Sequence, residues 1–364
     1  MDHNGSTPLH PAARAAMLPF LDGAYGNPSS GHWAAETARD AIEKARAEVA
    51  ALIGATPDEI VFTSGATEAN NLALKGSLGA RGPYHIVASR IEHDAVLRSV
   101  QAMKRYGVRV TLVPVDGDGI VDPDEVRRAI GKDTSLISTM TANNEIGTIQ
   151  PIAEIAAIAR EHGIPFHSDA AQAVGKIPID VEAMGVDYLS LAGHKFGAPN
   201  GVGALYIRKG RRLTPLLHGG GQEKKRRAGT ESALLSAGLG AAARAAMGKD
   251  TSGLRSLREA FWQGLTDRFG TRVVLNGHPT RRVPNTLSVS FPGQIGAEIL
   301  ASMPGVAATT GSACHAGCID MSHVLIAMGK SVDIGLGTIR FSLGDGNTMD
   351  EVNEVLGLLE NALG

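Results

Sequence analysis

Residues 190–197 read Ser-Leu-Ala-Gly-His-Lys-Phe-Gly and place Lys195 directly after a Gly-His pair. A lysine forms an imine with a carbonyl group only when its amine is neutral and held in position. Asp169 precedes this segment, at the end of a predicted strand at 165–169. A Gly-His-Lys segment with an aspartate upstream is typical of a pyridoxal 5'-phosphate (PLP) site, which also needs an acidic partner for the pyridine nitrogen and a cradle for the phosphate. We therefore predict a PLP site with a Schiff base to Lys195.

A candidate phosphate cradle lies at residues 64–67, which read Ser-Gly-Ala-Thr. They fall between a predicted strand at 60–62 and a predicted helix at 67–75. The unpaired N–H groups at a helix N-terminus attract phosphate, and the Thr67 hydroxyl can add a hydrogen bond. Such a turn is more often only structural, but Lys195 downstream favours a functional role. Ala66 and Thr67 are therefore predicted phosphate contacts.

The chain has two cysteines, Cys314 and Cys318. Two are too few for a disulfide framework or a four-ligand zinc site, so we expect no metal centre. Cys314 follows Gly-Ser-Ala and precedes His315. A buried, inert thiol is the usual fate of a cysteine, but a polar loop that contains glycine favours a reactive one. Cys314 is therefore a candidate nucleophile.

Composition predicts an ordinary globular protein that acts on small molecules. The chain has 364 residues, of which 43% are hydrophobic and 20% charged, and a formal net charge of −2. This charge balance gives no reason to expect direct nucleic acid or membrane binding. Residues 1–5 do not resemble the start of a targeting segment, and no run approaches the ~20 apolar residues of a membrane span. We therefore expect a cytoplasmic location.

Short apolar runs alternate with helical patterns along the chain, which predicts an α/β fold with a large, mostly parallel sheet. The run at 203–207 is expected to return as an antiparallel strand. Ligands of such sheets bind at the carboxyl ends of the strands. The pattern changes near residue 250, which predicts a smaller α+β domain. We expect a large domain at 16–249 and a small domain formed by 1–15 with 250–364.

Nine segments of this chain, in the same order, resemble the cysteine desulfurases of the NifS and IscS type, which are class V aminotransferases of PLP fold type I. Together they cover essentially the whole chain. The segments are Asp2-His3-Asn4-Gly5-Ser6-Thr7-Pro8, Gly26-Asn27-Pro28-Ser29-Ser30, Thr63-Ser64-Gly65-Ala66-Thr67-Glu68, Glu92-His93, Asn143-Asn144-Glu145-Ile146-Gly147, Asp169-Ala170-Ala171-Gln172, Gly193-His194-Lys195, Arg227-Ala228-Gly229-Thr230 and Gly311-Ser312-Ala313-Cys314.

The resemblance implies a role for individual residues of the cofactor site. Asp169 would pair with the pyridine nitrogen, and Gln172 would bind the ring hydroxyl. His93 would stack on the ring and move protons. His194 and Thr230 would contact the phosphate. Because Thr230 would reach the site of a second subunit, the resemblance also implies a homodimer.

Asn144 and Arg340 resemble the residues that bind the substrate α-carboxylate, and Asn144 also borders the cofactor in the family. The planar fork of a guanidinium suits a carboxylate better than the point charge of a lysine. The implied substrate is L-cysteine, which displaces Lys195 from the cofactor and loses its α-proton. Cys314 then attacks the substrate sulfur, which leaves L-alanine and a persulfide on Cys314. The sulfur would pass to an acceptor or scaffold protein, for iron–sulfur cluster assembly or another purpose.

Several positions depart from the family pattern. Ala192 stands where many desulfurases have a serine that binds phosphate, and Ala228 also replaces a serine. A histidine directly after the cysteine, here His315, resembles the sequence of selenocysteine lyases. The length of the loop between Cys314 and Arg340 resembles that of desulfurases. Cys318 is expected to be incidental rather than part of a persulfide relay or a disulfide.

Three hypotheses stay open at this point. The first is a cysteine desulfurase, and the second is a selenocysteine lyase or a cysteine/cystine C–S lyase that needs no protein persulfide. The third is a non-catalytic scaffold that handles sulfur. The intact set of cofactor residues disfavours the scaffold, and dependence on Cys314 separates the first two.

Overall fold

A computed structural model describes residues 1–79, 82–310 and 321–364, with the backbone of residues 314–315 and 318–319. Its largest sheet has seven strands in the order β1-β7-β6-β5-β4-β2-β3. The strands are β1 (Ile60–Thr63), β2 (His85–Ser89), β3 (Arg109–Val113), β4 (Thr134–Ser138), β5 (Phe166–Asp169), β6 (Tyr188–Ala192) and β7 (Gly203–Ile207). Strands β2 to β6 pair in parallel, whereas β7 is antiparallel to both β6 and β1. The predicted mostly parallel sheet and the antiparallel return at 203–207 are confirmed.

Helices accompany the strands, and their buried residues face the apolar core. Helix α8 consists mainly of small residues and packs closely against α1 and α2. The helices are α1 (Pro11–Asp22), α2 (Glu36–Leu52), α3 (Ala66–Gly76), α4 (Asp94–Met103), α5 (Pro123–Ala129), α6 (Ile152–Glu161), α7 (Val181–Met184), α8 (Ala233–Ala246), α9 (Ser252–Phe269), α10 (Gly296–Ala301), α11 (His323–Ala327), α12 (Val332–Leu336) and α13 (Met349–Leu363). Among the described residues, no helix is both long and apolar enough to cross a membrane.

A second sheet has three antiparallel strands in the order β12-β9-β8. They are β8 (Val274–Asn276), β9 (Thr286–Ser290) and β12 (Thr338–Ser342). Helices α9 and α13 share its apolar core, in which the rings of Phe261 and Phe341 lie 5.0 Å apart. The start of the chain runs beside β12, with a parallel bridge between Asp2 and Ser342. This pairing brings the first residues of the chain to the second sheet.

The segment with the two cysteines contributes a short antiparallel pair, β10 (Cys314–His315) and β11 (Cys318–Ile319). The side chains of these four residues lie outside the described part of the structure. The division into domains at 16–249 and at 1–15 with 250–364 stays a prediction.

Candidate active site

A cavity of about 440 Å³ lies at the carboxyl ends of β5 and β6, between the large sheet and β12. This is where a mostly parallel sheet is expected to bind its ligand. Most of the predicted site residues line the cavity: Ala66, Thr67, His93, Asn144, Asp169, Gln172, His194, Lys195 and Arg340. Segments that are far apart in the sequence thus meet around one space.

Lys195 follows the end of β6 and is held by the start of the chain. Its amine donates to the carbonyl oxygens of Asn4, at 2.5 Å, and Gly5, at 2.9 Å. Burial, with a further contribution from the positive charge of Arg340, lowers the pKa of Lys195 to about 8. A large share of this amine is therefore neutral near pH 8, as imine formation requires.

Asp169 ends β5 and is buried, with both carboxylate oxygens fixed. Oδ2 accepts from the Asn70 side-chain amide at 2.7 Å, and Oδ1 accepts from the backbone N–H of Ala171 at 2.9 Å. These two donors fix the position of the carboxylate at the edge of the cavity. Such a group can hold the protonated ring nitrogen of PLP.

The opposite end of the cavity can hold an anion. Helix α3 begins there at Ala66, and its N-cap Gly65 has a φ of 152°. A Cβ on the facing Gly203 would lie 2.7 Å from the Gly65 Cα, so this close approach requires glycine. The first N–H groups of a helix have no partner within the helix and attract phosphate.

His194 supplies a second observation at this end. Its Nε2 is buried and has no hydrogen-bond partner among the described residues. Burial, helped by the charge of Lys195, lowers the pKa of His194 and favours the neutral ring. A buried polar atom without a partner is costly, so a phosphate oxygen at this position would satisfy it. The helix terminus and this nitrogen together fit the phosphate of PLP.

Gln172 and His93 are held by neighbours in ways that leave donors available. Gln172 donates from Nε2 to the Asn4 carbonyl at 3.0 Å and accepts at Oε1 from Lys176 at 2.6 Å. His93 caps α4 by accepting at Nδ1 from the backbone N–H of Ala95. This bond places the proton of a neutral His93 on Nε2. Both side chains line the cavity, where these N–H groups can meet a ligand.

Arg340 lies on β12 and approaches the cavity from the second sheet. Its Nη1 donates to the Asn144 carbonyl at 2.9 Å, and its Nη2 donates to Oδ1 of Asp2 at 2.7 Å. Its Nε is buried and unpartnered within the described ranges. The guanidinium therefore keeps donors for a planar anion.

Two predicted residues are not seen at this cavity. Thr230 is exposed and lines a separate cavity of about 200 Å³, which also borders Ser64. Its segment is joined to α3 by an ion pair between Arg227 and Glu68, with 2.8 Å between Nε and Oε1. The side chain of Cys314 lies outside the described residues.

The described ends of the segment that carries Cys314 both lie beside the cavity. Thr309 forms a backbone bridge with Arg340. On the other side, the Ser322 hydroxyl donates to the Glu145 carboxylate at 2.5 Å, next to Asn144. The Cys314 segment therefore leaves and rejoins the described fold at two motifs that line the cavity.

Residues without a predicted role complete the site. Asn4 is buried and accepts at Oδ1 from the amine of Lys176, at 2.7 Å, while its backbone oxygen holds Lys195 and Gln172. Asn70 fixes Asp169, and Asp2 pairs with Arg340. Asp2 and Asn4 belong to a motif that resembles the family, which was the available signal for them. No local pattern marks Asn70 as a partner of Asp169.

Comparison with known proteins agrees with this site. Residues 1–355 match the family model described as Aminotransferase class-V. A cysteine desulfurase IscS of Dictyoglomus turgidum is 46% identical over 371 aligned positions, which cover all of this chain and 94% of the relative. The cysteine desulfurase IscS of Methanosarcina thermophila is 47% identical, over 98% of this chain and 89% of the relative.

Solved structures show the same fold. A NifS-like protein superposes with a TM-score of 0.91 and 37% identity, over 100% of this chain and 98% of that protein. A structure of SspA in complex with cysteine gives a TM-score of 0.84 and 37% identity, over 94% of this chain and 97% of that one. This chain therefore belongs to the class V aminotransferase family and, within it, to the cysteine desulfurases of the NifS and IscS type.

Proposed function

We propose that this protein is a PLP-dependent cysteine desulfurase that converts L-cysteine to L-alanine and passes the sulfur to Cys314 as a persulfide. The observation that carries this proposal is the meeting of Lys195, Asp169 and Arg340 around one cavity. The three groups offer an amine for the cofactor, an acid partner for its ring and a cation for a substrate carboxylate. Cysteine desulfurases that are similar over almost the whole chain support the same reaction.

The residues of the cavity would hold PLP at both ends. Asp169 would bind the ring nitrogen, Gln172 the ring hydroxyl, and His194 with the start of α3 the phosphate, while His93 would cover the ring face. Held in this cavity, PLP would supply an electron sink for the negative charge that develops at the substrate Cα. Ala192 lines the cavity at the end of β6 and offers no hydroxyl to the phosphate.

Lys195 would move the proton of the substrate Cα. A pKa of about 8 leaves the displaced amine partly neutral near physiological pH, which suits a general base. The carbonyls of Asn4 and Gly5 accept from this amine and would keep it at the edge of the cavity. Lys195 would then return the proton to the product.

Arg340 would bind the substrate α-carboxylate and so orient the amino acid in the cavity. The Cys314 thiolate then attacks the substrate sulfur, so that a sulfur–sulfur bond forms as the bond between substrate Cβ and sulfur breaks. The electron pair of the broken bond stays with Cβ, which takes up one proton and becomes the methyl group of alanine. His93 would exchange a proton with the substrate thiol. The positions of Thr309 and Ser322 beside the cavity support this reach of the Cys314 segment.

The proposal includes a homodimer in which Thr230 of one subunit contacts the phosphate held by the other. Its exposure, away from the cavity of its own chain, supports that role. A sulfur acceptor or scaffold protein would then collect the persulfide sulfur.

Product analysis tests the proposed reaction. The PLP-loaded protein, incubated with L-cysteine and a thiol reductant, should release alanine and sulfide in equal amounts. Lys195→Ala should release neither above the rate of free PLP. Pyruvate and ammonia instead of alanine would overturn the proposal in favour of a C–S lyase, and no product from wild type would also overturn it.

A further inference from the structure

The guanidinium of Arg340 already holds a carboxylate of the protein itself. Nη2 donates to Oδ1 of Asp2 at 2.7 Å, and the Arg340 side chain is only 10% exposed. Nη1 donates to a neutral backbone oxygen, that of Asn144. Asp2 is therefore the negative charge in direct contact with this buried cation among the described residues.

Asp2 is held in this place by the backbone around it. His3 donates from its backbone N–H to the Ser342 carbonyl at 3.0 Å, and Ser342 donates to the Met1 carbonyl at 2.8 Å. The backbone N–H of Asn4 donates to the Ser342 hydroxyl at 2.9 Å. Three hydrogen bonds thus fix the start of the chain beside β12, only two residues from Arg340. The ion pair is part of an ordered segment and is not a chance contact of a free terminus.

The position of Asp2 matters for any second carboxylate at Arg340. A guanidinium binds a carboxylate through two parallel N–H groups, either Nε with Nη2 or Nη1 with Nη2. Nη2 carries two N–H groups, one on each edge, and Asp2 accepts from Nη2, so its carboxylate borders either edge. A substrate carboxylate must therefore either displace Asp2 or bind next to its negative charge, and both cost binding free energy in a buried site.

We propose that Asp2 is a built-in competitor for the substrate carboxylate, which weakens the affinity of Arg340 for amino acids and so sets KM. The inference rests on the proposed function, because it takes the substrate carboxylate at Arg340. In the absence of substrate, Asp2 would keep the buried Arg340 paired. Because Asp2 competes with the carboxylate of the product, L-alanine would be released more readily. Asp2 is thus a specificity-determining residue that acts by opposing the ligand.

Asp2→Asn tests this role with little change in shape, because the Asn oxygen can still accept from Nη2 while the charge is lost. The measurement is the dissociation constant of the PLP-loaded enzyme for L-alanine, read from the visible absorbance of the bound cofactor. Asp2→Asn should bind L-alanine about three- to tenfold more tightly, a size expected for one like-charge contact. Its affinity for ethylamine, which is alanine without the carboxylate, should not change. KM for L-cysteine should fall by a similar factor with kcat within about twofold of wild type.

Two further variants separate charge from structure. Asp2→Glu keeps the charge and should retain the weak binding of wild type. Asp345→Asn removes a carboxylate that follows β12 and pairs with Lys249 at 2.5 Å. This variant should leave the dissociation constant for L-alanine and KM for L-cysteine unchanged. The inference is overturned if Asp2→Asn binds L-alanine as wild type does or more weakly, since Asp2 would then be neutral or would support Arg340.

This test does not depend on turnover of L-cysteine. If the wild-type enzyme releases no alanine from L-cysteine, the proposed function fails. The comparison of L-alanine with ethylamine still decides whether Asp2 opposes a carboxylate at Arg340.

Discussion

The side-chain amide of Asn70 donates to the Asp169 carboxylate at 2.7 Å, and both residues are buried. Asn70 lies on α3, whose first turn forms the anion-binding end of the cavity. One helix therefore positions groups at both ends of the cavity. In the proposed function, this link would keep the phosphate contacts and the ring contacts at a fixed spacing.

Asn70→Ala should weaken the site and the fold together. The change leaves an oxygen of the buried Asp169 without its donor, which costs about 1–3 kcal/mol of unfolding free energy. We expect a higher dissociation constant for PLP in the same variant. Both quantities are measured by denaturant unfolding and by cofactor titration.

The next residue of the helix provides the control. Asn71 is only half-buried, and within the described part of the chain its side chain bonds to the Thr67 carbonyl of its own helix. Asn71→Ala should change the unfolding free energy by less than about 0.5 kcal/mol. Equal losses in the two variants would refute a special role for Asn70.

His194 should act on the phosphate of the cofactor and not on its ring. His194→Ala removes the buried Nε2 that has no partner within the described residues. A hydrogen bond to a charged group contributes about 1.5–3 kcal/mol, so the affinity for PLP should fall about 10- to 150-fold. The affinity for pyridoxal, which lacks the phosphate, should be the same in wild type and variant. A parallel loss for both ligands would contradict this assignment.

Loading of PLP should depend on pH through Lys195. The amine attacks the cofactor only when neutral, and its pKa of about 8 lies well below the ordinary value of 10.5. The loading rate constant of the cofactor-free protein should therefore rise about tenfold per pH unit below pH 8 and level off above it. Stopped-flow absorbance at a series of pH values measures this profile.

Arg340→Gln should move the same profile to higher pH. The positive charge of Arg340 is the second cause of the lowered pKa of Lys195, after burial. Removing this charge favours the protonated Lys195 amine, so less neutral amine is present at any pH below the new midpoint.

A loading rate constant that does not change between about pH 7 and 9 in wild type would show that the Lys195 amine does not limit loading.

Local sequence patterns predict the parts of this fold whose causes are local. Short apolar runs identify most of the strands, Ser64 and Gly65 indicate where β1 ends, and Asp169 indicates where β5 ends. The sequence alone therefore assigns residues at or just after these ends, such as Asp169 and Thr67, to one edge of the sheet. Helix α1 is harder to predict, because Pro19 lies inside it and no acidic residue marks its first turn.

Contacts between distant segments could not be predicted in this way. Asp2 and Arg340 are separated by 338 positions, and Asn4 and Lys176 by 172. The sequence around Asp2 and Asn4 does not indicate these partners. The partners are determined by how the start of the chain lies against β12 in the folded protein. Buried polar groups must find partners, and only the folded chain shows which ones.

The dependence of alanine release on Cys314 tests the central claim most directly. Cys314→Ser keeps the size of the side chain and removes the nucleophilic sulfur, and Cys318→Ser is the matched control in the same segment. With L-cysteine and PLP, wild type and Cys318→Ser should release alanine and carry a persulfide on the peptide that contains Cys314. Cys314→Ser should lose on the order of 10²-fold or more of the rate and carry no persulfide. Alanine release by Cys314→Ser at the wild-type rate would contradict the account.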